Sequence, residues 1–226
     1  RAAHEHIMEH LQPLKLPVLS EEGKETEEEE RRKWRIFWLV DPLDGTKEFI
    51  RKNGEFTVNI ALIHGSRAIM GIMYAPVPDI MYFSDCATGA FRLEEFSETW
   101  KSIKTADELM EQSASLPLKK PERTEGFRVV ASRSHISQDT GSYIEFLRAR
   151  HPDLELVSRG SALKFCLVAE GGADIYPRFG PTWEWDTGAG QAIAEASGCR
   201  VTLLDERTPL EYNKADLLNP GFIVSR

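Results

Sequence analysis

Apolar and polar positions divide this 226-residue chain into two differently patterned halves. Residues 1–11 carry helical periodicity, and the apolar stretch 16–19 reads as a short strand. Residues 36–40 (IFWLV) form a continuous apolar run that stops at Asp41-Pro42, as a buried strand does. Strands are predicted over 56–63 and 68–74, joined by the turn His64-Gly65-Ser66, and over 80–84 and 90–93 around Thr88-Gly89. The first half is therefore a strand-rich, antiparallel sheet. Residues 99–125 are polar and contain Pro117 and Pro121, which marks a boundary or a long connection. Beyond it the pattern alternates. Strands are expected over 127–131, 154–157 and 174–176, with helices over 137–150, 161–170 and 186–196, then strands over 200–203 and 222–224. The expected organisation is an α+β half over 1–115 and a smaller α/β half over 116–226, with a cleft between them.

Composition narrows the class. With 41% hydrophobic and 28% charged residues the chain is ordinary globular material. It lacks any run of the ~20 apolar residues that a bilayer span needs. Acids outnumber bases by 36 to 28, so the basic face of a nucleic-acid binder is not expected. Three well-separated cysteines without a CxxC pair argue against a disulfide framework and for a reducing compartment, the cytoplasm. The charge run 21–33 reads as a solvated loop or a short exposed helix. Because the sequence opens at Arg1 inside a helical pattern, a preceding segment is expected.

Candidate chemistry concentrates in Trp38-Leu-Val-Asp41-Pro42-Leu43-Asp44-Gly45-Thr46. A strand end delivers Asp41, Asp44 returns three residues later, and Gly45 permits a tight turn. Both carboxylates and the Leu43 carbonyl can converge on one hard cation, for which Mg²⁺ is the natural choice. Gly45 and Thr46 then open a helical turn whose free N–H groups suit a phosphate. A bare DxxD is more often a turn former and helix cap. Two further acidic sites shift that balance: Glu21 at the end of the first strand, and Asp186 in WEWDTGAG at a helix start. An acidic protein that binds a phosphate ester needs cations between the two anions, and several carboxylates around two or three Mg²⁺ ions provide them.

WLVDPLDGTKEF and WDTGAG together resemble the inositol monophosphatase superfamily of magnesium-dependent, lithium-sensitive phosphatases. VLSEE, GIMYAPV, SRSH, GSALKFCLVAEG, YPRFGPT and NPGFIVS are similar to its bacterial 3'(2'),5'-bisphosphate nucleotidase branch, along the whole chain. The resemblance implies a layered α/β/α/β/α sandwich. It implies that Glu21, Asp41, the Leu43 carbonyl, Asp44 and Asp186 ligate Mg²⁺, that Thr46, with Glu21 and Asp44, acts on the attacking water, and that Gly45 holds the phosphate. His135, Ser161, Lys164 and Arg178 match nucleotide-holding positions, Lys164 and Arg178 being partners for a second phosphate. The implied reaction converts 3'-phosphoadenosine 5'-phosphate and water to AMP and phosphate, with the 3'-phosphorylated sulfate donor as a further substrate. Inositol or sugar phosphates and a catalytically silent nucleotide sensor are the alternatives. Homo-oligomerisation and peripheral attachment to the inner membrane's cytoplasmic face stay open. The family's amino-terminal aspartate falls before Arg1.

Other chemistries fit less well. Cys86-Ala-Thr-Gly89-Ala-Phe-Arg92 has the CxxGxxR spacing of cysteine phosphatases, but Asp85 opposes a thiolate and the segment reads as strand, turn and strand. Asp41 and Asp44 are spaced three apart, not the two of haloacid-dehalogenase-type phosphatases. Trp34, Phe37, Trp38, Trp183 and Trp185 read as packing residues. His4, His6 and His10 read as positions on a surface helix.

Overall fold

The computed structural model describes residues 1–119, 121, 125–131 and 137–226. It contains a seven-stranded sheet, a five-stranded sheet and a two-stranded ribbon. Helix α1 (Ala2–Leu11) leads into strand β1 (Val18–Ser20), and helix α2 (Glu28–Arg31) precedes strand β2 (Ile36–Asp44). After helix α3 (Thr46–Arg51) come β3 (Thr57–His64), β4 (Arg67–Ala75), β5 (Ile80–Asp85) and β6 (Gly89–Glu94). Strand order follows the chain, and β1 pairs parallel to β2 while the later neighbours pair antiparallel. The polar stretch predicted as a connection is more structured than its composition suggests. It holds the short helices α4 (Phe96–Thr99) and α5 (Ala106–Glu111) and an edge strand β7 (Ala114–Ser115) that pairs with β6.

The second sheet is built from β8 (Arg128–Ala131), β9 (Glu155–Ser158), β10 (Ile175–Arg178), β12 (Arg200–Leu203) and β14 (Phe222–Ser225), in the order β12-β14-β10-β8-β9. Its helices are α6 (Gln138–Arg148), α7 (Leu163–Glu170) and α8 (Glu184–Ala196). Strands β11 (Thr182–Trp183) and β13 (Leu218–Asn219) form the ribbon, which is too short to leave a periodic signal.

Alternation along the strands explains the layers. On β2, Trp38 and Val40 face outward onto Leu11 and Ile7 of α1, whereas Phe37 and Leu39 face inward with Ala61 and Ile63 of β3 onto Ala189 of α8. The central cluster joins Met73 and Tyr82 of the first sheet, Phe165 and Val168 of α7, Ile193 of α8, and Tyr176, Phe222 and Val224 of the second sheet. On the far face of the second sheet, Val129, Ile175 and Ile223 pack against Ile144 and Leu147 of α6. The succession is helix, sheet, helices, sheet, helix, the α+β sandwich expected from the resemblance. Helices α7 and α8, from the later half, fill the space between the sheets. Among the described residues no helix is long and apolar enough to cross a membrane.

Candidate active site

The site begins with an irregularity in β2. Asp41 lies opposite Asn59 on β3, and Asp44 lies opposite Thr57, so three steps along β2 match two along β3. In a regular strand, residues three apart point to opposite faces. The extra residue is a β-bulge, and it returns Asp44 to the face that carries Asp41. Pro42 sits in the bulge, where a missing backbone donor costs no ladder bond. The Leu43 N–H, freed from the ladder, donates to Asp41 Oδ1 at 2.9 Å.

Three carboxylates meet there. Oxygens of Asp41, Asp44 and Asp186 lie within 4.8 Å of one another. Asp186 comes from the first turn of α8, and its Oδ2 accepts the Trp183 N–H at 2.8 Å. One side chain therefore both caps the start of α8 and joins the cluster. Glu21 follows β1, where its N–H donates to Val40 O at 3.1 Å, which sets it beside the end of β2. It is exposed at the rim of the cluster, yet its charge acts on both Asp41 and Asp186. Burial first, then the Asp44 and Glu21 charges, push the Asp41 carboxyl up to about 10. Burial and Asp44 push Asp186 up to about 7, against the Trp183 N–H and Arg178.

Asp44 is held by residues distant from it in the chain. Its Oδ2 accepts the Ala162 N–H at 2.6 Å, the Ser161 hydroxyl, and a longer contact from Thr57 Oγ1 at 3.4 Å. Thr57 and Ser161 hydroxyls are themselves 2.8 Å apart. Ser161, predicted inside a helix, instead has a left-handed backbone (φ 52°) just before α7. Gly45 (φ 84°) turns the chain between β2 and α3, and a Cβ there would sit 3.2 Å from the Ser161 Cβ. Thr46 is the first residue of α3 and is exposed.

Asp44, Gly45, Ser161, Lys164, Arg178 and Asp186 line one cleft of about 160 Å³. Lys164 does not snorkel to solvent: it is 5% exposed, its Nζ donates to the Ser161 and Arg159 carbonyls, and it lies 5.4 Å from the Tyr176 ring centroid. Burial lowers its ammonium to about 8, opposed by the Asp44 charge. Arg178 is half-buried and donates to Gly180 O at 3.1 Å and Pro181 O at 3.0 Å. His135 lies outside the described residues.

The sequence reading passed over several supports. Glu184, fully buried, accepts Asn213 N–H at 2.7 Å and pairs with Lys214 Nζ at 2.6 Å, which ties the loop before β13 to the start of α8. Arg31, taken as part of a solvated run, is 3% exposed and donates to Asn213 Oδ1 and to the Lys214 and Ala215 carbonyls. Trp183, read as a packing residue, is 44% exposed and stacks on Trp185. Cys86 is exposed in the turn between β5 and β6 with no helix following it, as expected for a coincidental motif.

Against known proteins, the sequence matches the Inositol monophosphatase family over residues 1–226. The chain belongs to this family. Within the family it is 47% identical to the 3'(2'),5'-bisphosphate nucleotidase CysQ of Salmonella typhimurium, over 99% of this chain and 82% of that protein. The CysQ of Escherichia coli K12 gives the same identity and coverage. Its fold is that of the crystal structure of CysQ from Bacteroides thetaiotaomicron, at 49% identity and a TM-score of 0.94, covering 98% of this chain and 81% of that one. The fold extends to more distant proteins, such as the inositol monophosphatase-II of Staphylococcus aureus at 18% identity, TM-score 0.73 and coverage of 99% and 75%.

Proposed function

We propose that this chain is a 3'(2'),5'-bisphosphate nucleotidase that removes the 3'-phosphate of 3'-phosphoadenosine 5'-phosphate, giving AMP and phosphate. The observation that carries the reading is a three-carboxylate cluster, two members of which, Asp44 and Asp186, line one cleft with the buried Lys164 and with Arg178. The nearly full-length identity to CysQ proteins supports the same activity.

The donor set suits hard divalent cations. It is all oxygen, tightly grouped, and contains a carboxylate, Asp41, that is 1% exposed with no cationic partner among the described residues. Asp41, Asp44, Asp186, Glu21 and the Leu43 carbonyl would hold two or three Mg²⁺ ions. Cations bound there would supply neutralising charge for the phosphate and a more acidic water. The chain's own groups do the rest. Thr46 Oγ1 and Glu21 would orient the attacking water on the side of the phosphorus opposite the ribose oxygen. Gly45 presents the first N–H groups of α3 to the phosphate oxygens. Lys164 and Arg178 receive the second phosphate, and Ser161 and His135 complete the nucleotide contacts. No covalent phosphoenzyme is involved, and the substrate is a small molecule met in the cytoplasm.

The test is phosphate release from 3'-phosphoadenosine 5'-phosphate, inositol 1-phosphate and fructose 1,6-bisphosphate, with Mg²⁺, with EDTA and with a thiol alkylator. Mg²⁺-dependent release that favours the bisphosphate nucleotide and ignores alkylation is expected. Preference for inositol or sugar phosphate would overturn the substrate assignment. EDTA-resistant, alkylation-sensitive turnover would overturn the chemistry.

A further inference from the structure

Strand β3 lies beside both carboxylates of β2 and carries a polar residue opposite each. Thr57 faces Asp44 and Asn59 faces Asp41. Both are buried, Thr57 at 0% and Asn59 at 1% exposure, on the strand face that continues through Ala61 and Ile63 toward α8. Thr57 already has work there, through its contacts to Asp44 and Ser161. Asn59 has none: among the described residues neither its Nδ2 nor its Oδ1 finds a hydrogen-bond partner. Its neighbour across β4 is the apolar Met73, fully buried. The one polar side chain at a directly opposed position is Asp41, whose carboxylate accepts a hydrogen bond from Leu43 N–H alone among the described residues. Directly opposed antiparallel residues hold their Cβ atoms about 5 Å apart, within reach of a side-chain contact or one bridging water.

A buried amide with both ends unsatisfied is costly and is not kept by a packed sheet without a reason. We propose that Asn59 is a positioning residue of the cation site: its side-chain amide holds the Asp41 carboxylate in its ligating orientation, directly or through one ordered water, when cations are bound. Asn59 touches neither substrate nor the reacting phosphate. It acts through Asp41 as Thr57 acts through Asp44, and β3 becomes a support strand for both ligands of β2. The inference rests on the cation-site reading given above.

The test uses Mn²⁺ binding followed by electron paramagnetic resonance, without substrate, on the wild type, Asn59→Leu and Asn59→Ser. Leucine keeps the approximate volume and removes both polar atoms, and serine restores a donor. Thermal unfolding in EDTA accompanies each. Asn59→Leu should fold with an unchanged or raised melting temperature, because an unsatisfied amide has been removed, yet bind Mn²⁺ about tenfold more weakly. Asn59→Ser should recover part of the affinity. If Asn59→Leu lowers the melting temperature and leaves Mn²⁺ affinity unchanged, Asn59 is structural and the proposal fails while the site reading stands. If the wild type binds no Mn²⁺, both fail together. Should Asn59→Leu not fold, Asn59→Ala, which also removes both polar atoms, with wild-type Mn²⁺ affinity overturns the proposal by itself.

Discussion

Asp44 is one point where residues far apart in the chain touch at the level of single atoms. One carboxylate oxygen takes the Ala162 N–H, the Ser161 hydroxyl and the Thr57 hydroxyl, while the same carboxylate joins the cluster with Asp41 and Asp186. Asp44→Asn keeps an acceptor for those donors and removes the charge. It should retain the fold by circular dichroism and lose more than about 100-fold in turnover, since even supporting residues of a metal site cost 10–100-fold. Unchanged turnover would remove Asp44 from the site. Lys164 is a second sharp case. Its Nζ is buried in the cleft and anchored on the Ser161 and Arg159 carbonyls, ready to meet an anion. Lys164→Met should raise the KM for the bisphosphate nucleotide by about 10- to 100-fold, the worth of a hydrogen bond to a charged group, with a smaller effect on kcat. At this scale the ionic and short-motif residues were legible, because Asp41, Asp44, Gly45 and Asp186 sit in strings whose chemistry is local. Arg31, Thr57, Asn59 and Glu184 were not, because each matters through a partner far along the chain or across a sheet.

At the scale of elements, the bulge in β2 and the start of α8 are what make a site from separate strings. The strand run 36–40 was legible as apolar and buried, but not its continuation to Asp44, since a register shift leaves no hydrophobic pattern. Helix α8 was placed within two residues of its start, whereas its position between the sheets was not, because nothing in its periodicity names the surface it meets. Close packing there is set by small residues. A Cβ at Gly71 of β4 would stand 2.4 Å from the Ala189 carbonyl oxygen in α8. Gly71→Ala must therefore displace backbone, and overpacking of this kind costs about 1–3 kcal/mol. Because α8 carries Asp186, the same substitution should weaken Mg²⁺ activation as well as lower the denaturation midpoint. A midpoint shift with unaltered Mg²⁺ dependence would uncouple helix packing from the site. The short elements in 99–125 and the β11–β13 ribbon escaped the pattern reading because a two-residue strand holds a single period and a four- to six-residue helix fewer than two turns.

For the whole molecule, crowding carboxylates between two sheets has a cost that depends on pH. Folded, Asp186 keeps its proton up to about 7 and Asp41 to about 10, whereas the ordinary value for both is 3.8. Above that ordinary value the unfolded chain binds fewer protons than the folded one, so stability falls as pH rises through this window. Cations that occupy the cluster remove the repulsion. The melting temperature in EDTA should therefore fall between about pH 5 and pH 8, and the rise on adding Mg²⁺ should be larger at about pH 8 than at about pH 6. Equal Mg²⁺ shifts at both values would show that the cluster is not where the cation binds. The five-layer architecture was legible as a whole through the resemblance, while the layer contents needed the strand faces.

Asp41, Asp44 and Asp186, bordered by Glu21, are proposed to form the cation site of a phosphatase. Anomalous diffraction from crystals of this protein soaked in Mn²⁺ tests it most directly. Mn²⁺ peaks are expected within bonding distance of the Asp41, Asp44 and Asp186 carboxylates, with Glu21 drawn toward one of them. Ordered Mn²⁺ elsewhere, with those carboxylates unliganded, would contradict this assignment.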